Sequence, residues 1–173
     1  MILLNILFVL RLTVQLAKPN IISHEEFSNI TVSGITLEQI ASTNGDETAV
    51  NRLYDRVEHQ VLTSKAAEEN IGNPVKSGSF YVLDKKVRIG FSSNLNVEGG
   101  LTKLEVLSSE VLVTICGIKI RLGDSSEKLS KFHKNDSYQN FLFIPQSDED
   151  RVFSIRYDKE SKLITAILFF LTT

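Results

Sequence analysis

One spacing constrains this chain more than any other feature. Ile30 to Leu37 reads ITVSGITL, and Val113 to Ile120 reads VTICGIKI, with Gly34 and Gly117, and likewise Ile35 and Ile118, 83 positions apart. Self-similarity at a fixed offset marks a repeated structural unit. Each copy alternates apolar with polar or small residues about a central Gly, the pattern of a half-buried strand or a hairpin-like turn. A Gly-Asp pair follows each copy and opens a helix-like segment, GDETAVNRLY from Gly45 and GDSSEKLSKF from Gly123. Asp46 and Asp124 are suited to N-capping, because a short carboxylate accepts bonds from the free amides of a first helical turn. Leu129 and Phe132, three apart, share one face of the second segment.

Three strand-like segments then follow in each copy. They are Phe80 to Leu83, Val87 to Phe91 and Leu101 to Leu107 in the first, and Phe141 to Ile144, Val152 to Tyr157 and Leu163 to Leu171 in the second. Asn94, Gly99 and Gly100 punctuate the first set; Pro145, Asp148 to Asp150 and Asp158 to Ser161 punctuate the second, as hairpin turns require. The order predicts an α+β fold of two tandem helix-plus-antiparallel-sheet repeats packed as one domain. The first repeat spans residues 18–110 and the second 111–173.

The first copy has the longer helical region. Leu37 and Ile40 share a side, Asn44-Gly45 interrupts, and Asp46 to Val61 reads as a second helix with Val50, Leu53, Val57 and Val61 on one face. Thr63 to Ser79, polar and containing Gly72, Pro74 and Gly78, reads as a loop, or as a short helix over Lys65 to Asn70 and then a loop. Such a stretch is either a functional loop or a solvated connection.

Ile118 to Ser126 (IKIRLGDSS) reads as strand, Gly, polar cap and helix start. Together with the element order across residues 30–171, it resembles the beta-lactamase inhibitor protein family and its single-unit relatives among small outer-membrane-assembly lipoproteins. The resemblance implies a helical segment packed on an antiparallel sheet in each unit, and a habit of binding other proteins. The chain lacks the paired cysteines of the inhibitor and the lipid-attachment Cys of the lipoproteins, since Cys116 is its one Cys.

Met1 to Ala17 differs from the rest. MILLNILFVL is almost wholly apolar, Arg11 interrupts, and Lys18-Pro19-Asn20 ends the run. It reads as a secretory signal peptide or, alternatively, as a buried first element; it is too short and too interrupted for a membrane span. The net charge of −2, with basic residues interleaved among acids, gives no footprint for nucleic acid.

Residues that carry chemistry are few. His24, His59 and His133 form no zinc spacing; His59 falls in the expected helix and His133 follows the second-copy segment, where a His commonly satisfies helix carbonyls. Cys116 sits within an apolar strand pattern, where a free Cys behaves as a small hydrophobe. Pairing with His59 or His133 would make a small hydrolase, but no local nucleophile motif supports it. Asp148-Glu149-Asp150 lacks the spaced ligands of a calcium loop and reads as a hairpin turn or as a patch for a basic partner. The sequons at Asn29 and Asn135 matter only in a eukaryotic secretory pathway.

The sequence therefore leads to a non-catalytic protein-binding module with no cofactor, secreted or periplasmic, of the immunity or inhibitor kind. Asp148, Glu149 and Asp150 would steer toward a basic protein partner. The alternative is an envelope structural protein or a carrier of small apolar ligands, with Phe80, Tyr81, Phe141 and Phe143 lining its cavity.

Overall fold

The computed structural model describes residues 18–54, 57–61, 79–83, 85–91, 100–146 and 148–172. The apolar start, Met1 to Ala17, and the loop read over Thr63 to Gly78 lie outside the described residues. The fold mixes helix with a larger share of sheet.

The described residues open with β1 (Asn20–Ile22) and α1 (His24–Ser28), then a hairpin of β2 (Thr31–Val32) and β3 (Ile35–Thr36). Next come α2 (Leu37–Ser42), α3 (Glu47–Leu53) and four strands, β4 (Val57–Val61), β5 (Ser79–Leu83), β6 (Val87–Phe91) and β7 (Leu101–Val106). A second hairpin, β8 (Val113–Ile115) and β9 (Ile118–Ile120), leads through a 3₁₀ turn (Ser126–Leu129) to β10 (Asn140–Pro145), β11 (Arg151–Tyr157) and β12 (Ile164–Leu171).

Two sheets result. The larger runs β1-β10-β11-β12-β7-β6-β5-β4 and is antiparallel except where β1 lies parallel to β10; the smaller runs β3-β2-β8-β9. In the smaller sheet the two Gly-centred stretches meet side by side, Thr31 opposite Thr114 and Val32 opposite Val113. Each hairpin closes on a two-residue loop, Ser33-Gly34 and Cys116-Gly117, with positive φ at both positions. That is the type I′ geometry, whose twist matches the flanking strands. Cys116 is thus a turn residue rather than a strand residue.

The helices and the smaller sheet cover one face of the larger sheet. Phe27 of α1, Leu37 and Ile40 of α2, and Val32, Ile115 and Ile120 of the hairpins share one buried cluster with Ile89, Leu104, Phe143, Phe153, Ile167 and Phe169. Burying each such side chain contributes about 1.5–3 kcal/mol. Ser23 with Glu26 and Thr36 with Gln39 form capping boxes at the starts of α1 and α2, each satisfying two otherwise free donors.

Three expectations for the helices need correction. The helix from Asp46 is capped as expected, the carboxylate accepting from the Ala49 amide at 2.8 Å. It ends at Leu53, however, and Val57 and Val61 belong to β4, paired with Leu83 and Ser79. Pairing with a neighbouring strand favours an extended β-branched segment over the helical spacing. His59 accordingly lies in a strand.

After β9 the expected helix is a single 3₁₀ turn capped by Ser125, not a helix capped by Asp124. The backbone there is already engaged. Gly123 donates to the Ile164 carbonyl, Ile164 donates to that of Asp124, and Ser126 donates to that of Lys162. The Asp124 carboxylate turns back to accept from the Arg121 amide at 2.8 Å and pairs with Lys128 at 2.9 Å.

Gly117 and Gly45 separate two costs of a positive φ. A Cβ on Gly117 (φ +78°) would meet nothing within 4 Å, whereas one on Gly45 (φ +71°) would lie 2.9 Å from Phe91 Cγ and 3.0 Å from its Cβ. Gly117→Ala is expected to lower stability by about 1–2 kcal/mol from backbone strain alone. Gly45→Ala should cost more, because Phe91 must shift as well; urea melts of the two variants measure the difference.

Candidate functional site: a sheet face and a cleft

The side of the larger sheet turned away from the helices is set by the two-residue period of its strands. Register places Leu142, Ser154, Leu168, Glu105 and Arg88 in one transverse row, and Val152, Phe170, Lys103 and Gly90 in the next. Leu142, Leu168 and Phe170 are half-buried. Val152 is buried but stands outside the core cluster. At the β1 edge Ile21 continues this apolar stripe opposite Ile144, and is 66% exposed.

The stripe gives way to charge toward β6. Glu105 accepts from Arg88 at 3.0 Å and lies 3.6 Å from Lys103 Nζ; half-exposed pairs of this kind hold side chains in place but add little stability. Arg156 stands exposed opposite Ala166. This face is therefore largely apolar over β10 and β12, with Val152, Ser154 and Arg156 between them on β11, and ionic over β7 and β6.

A cleft of about 470 Å³ opens on the other side, where α1 and α2 meet the end of the sheet. Phe27, Leu37, Leu101 and Phe169 contribute to its floor, and the Phe27 and Phe169 rings contact each other at 6.3 Å between centroids. His24, Glu38, Asp148, Asp150 and Arg151 add polar groups to its wall. Arg151 Nε lies 3.0 Å from Asp148 Oδ2.

The structure divides the acidic residues singled out in the sequence. Asp148, Glu149 and Asp150 form the turn between β10 and β11, fastened by Thr172, whose amide donates to the Asp150 carbonyl at 2.7 Å. Asp148 and Asp150 line the cleft with α1 and α2. The extended stripe on the sheet was missed in the sequence, although its signal is visible as the second apolar phase of LITAILFFL, where Leu168 and Phe170 interleave with Ile167 and Phe169.

The candidate nucleophile and base are held through their main chains. Burial pushes the Cys116 thiol up from its ordinary pKa, and Glu26 adds to this while Lys131 opposes it. Lys131 Nζ lies 3.4 Å from the Cys116 carbonyl. His133 is held by its main chain, its amide donating to Asn20 Oδ1 at 2.7 Å and its carbonyl accepting from Asn20 Nδ2 at 2.9 Å. Phe141 and Phe143, considered for a cavity wall, are core residues packed on Tyr157 and Phe132. Asn29 ends α1 in an exposed position, whereas Asn135 Nδ2 is buried.

Among the described residues, no three His, Cys, Asp or Glu side chains group as a metal site, and no helix is long and apolar enough to cross a membrane. No protein-family model, curated protein or solved structure matches the chain.

A raised thiol pKa means little thiolate near neutrality, and the thiolate is the reactive form. Alkylation of Cys116 by iodoacetamide at pH 8 is expected to be slower than that of glutathione. Glu26→Gln, by removing one of the groups that oppose ionisation, should speed it.

Proposed function

We propose that this chain is a non-catalytic protein-binding module, of the immunity or inhibitor kind, whose interface is the outward face of the eight-stranded sheet. The observation that carries the reading is the stripe of Leu142, Ile144, Val152, Leu168 and Phe170 on the side opposite the core. A continuous apolar patch rimmed by polar groups is the usual character of a protein-interaction surface. At about 4.8 Å between strands and a β12 length of about 27 Å, strands β10, β11 and β12 give roughly 390 Å² and the ionic strands β7 and β6 bring the face to roughly 650 Å². The apolar part is about half of the ~800 Å² which one partner contributes to a stable interface, and the ionic strands supply its polar rim.

In this reading the chain is a tandem duplication, residues 18–110 and 111–173, as in the inhibitor family it resembles. The pairing of Thr31 with Thr114 supports the duplication, because those residues are equivalents at the 83-residue offset and a twofold relation brings equivalents opposite each other. The two I′ turns and the two strand meanders joined at β7 and β12 agree with it. The protein would act outside the cytoplasm, in the periplasm or beyond, with Met1 to Ala17 as its export signal.

A C-terminally tagged chain, incubated with lysate of its own source, is expected to retain one stoichiometric protein. Leu142→Thr with Leu168→Thr should weaken that capture at least about tenfold, near 1.4 kcal/mol, while the melting temperature stays close to that of the parent. Capture that persists unchanged in this double variant would place the interface elsewhere and remove the sheet-face reading.

A further inference from the structure

We propose that the cleft between α1, α2 and the end of the sheet binds a cation carried on an apolar body, an aryl- or alkyl-substituted guanidinium or ammonium group. The inference is independent of the sheet face, from which the cleft is separated by the sheet itself. Its floor supplies the apolar half of the recognition, through Phe27, Leu37, Leu101 and Phe169. The volume, about 470 Å³, falls within the range of sites that enclose small organic ligands.

Charge selects the other half of the ligand. Arg151 is balanced by Asp148 at 3.0 Å. Glu38 and Asp150 stand at the same cleft, and among the described residues no hydrogen bond or ion pair engages either carboxylate. The wall therefore keeps two uncompensated negative charges beside aromatic and aliphatic surface. An anion of the same shape meets repulsion there, and a neutral molecule forfeits the attraction. A long stem ending in a cation satisfies both parts, as Lys and Arg side chains do when they lie along apolar surface with the charge at its edge.

The chemistry has two sources, a free amine or guanidine and a basic side chain within a peptide. Titration of the full-length ¹⁵N-labelled chain with 3-phenylpropylguanidine and with acetyl-Leu-Arg-amide, followed by amide shifts, tests the proposal and separates them. Saturable shifts at Ser28, Glu38, Leu101 and Leu171 are expected, weakening with added salt. The probe that binds more tightly assigns the source. Glu38→Gln with Asp150→Asn, both at exposed positions, should weaken binding at least about tenfold without changing the remaining spectrum. Equal or tighter binding of 3-phenylpropionate would overturn the proposal, as would the absence of saturable shifts at these residues with either cation up to about 10 mM.

Discussion

The pairing of β7 with β12 is the contact on which the rest of the molecule depends. It sets Leu104 opposite Phe169, with Glu105 and Lys103 opposite Leu168 and Phe170. Without it the strands form two separate meanders, each with an open edge and a half-covered face. With it, one sheet carries a single apolar layer from Ile89 through Leu104 and Phe169 to Phe153, wide enough for α1, α2 and the small sheet to pack on together. Register is fixed by the same contact. A slip of one residue would turn Phe169 outward and drive Glu105 or Lys103 into the core, which a period-two strand with one buried face does not tolerate.

This joint gives the two sides of the sheet different chemistry. On the inner side, aromatic and branched side chains fill the space beneath the helices. On the outer side the residues between core positions are themselves mostly apolar on β10 and β12, with Ser154 buried and Arg156 exposed between them on β11. A strand such as β12, apolar in both phases, is usual for sheets covered on both faces. Here the helices, the 3₁₀ turn and the small sheet contribute to the inner layer.

Much of the architecture was legible because it rests on local pattern. Most strands of both meanders stand out as apolar runs between turn residues, and the Gly-centred stretches announce their turns. What sequence alone missed came from competition between local preference and distant partners. Val57 and Val61 fit a helical stripe, yet β5 claims them as a strand. Asp124 has every property of a helix cap, but the backbone around it is occupied by Lys162 to Ile164. α1 went unread although Ser23 and Glu26 spell its capping box, because only Phe27 within it is buried and a five-residue helix shows no periodicity. For the candidate sites, Asp148 and Asp150 were visible as acids. Their neighbours Glu38 and Phe27 come from distant segments that only the fold brings to the same cleft.

The parallel strand at the edge has a consequence for how the chain reaches this state. Asn20 donates to the Leu142 carbonyl across 122 positions, and β1 has no sheet to join until β10 has formed. At a synthesis rate of about 5–20 residues per second, that partner emerges roughly 6–24 seconds after β1 itself. The hairpin at β2 must likewise wait for β8. Assembly of this edge cannot finish as translation proceeds: β1 is held in reserve until β10 folds back onto it. Proteins dominated by such distant pairings fold slowly for their size, and among the described strands the longest delay falls on β1.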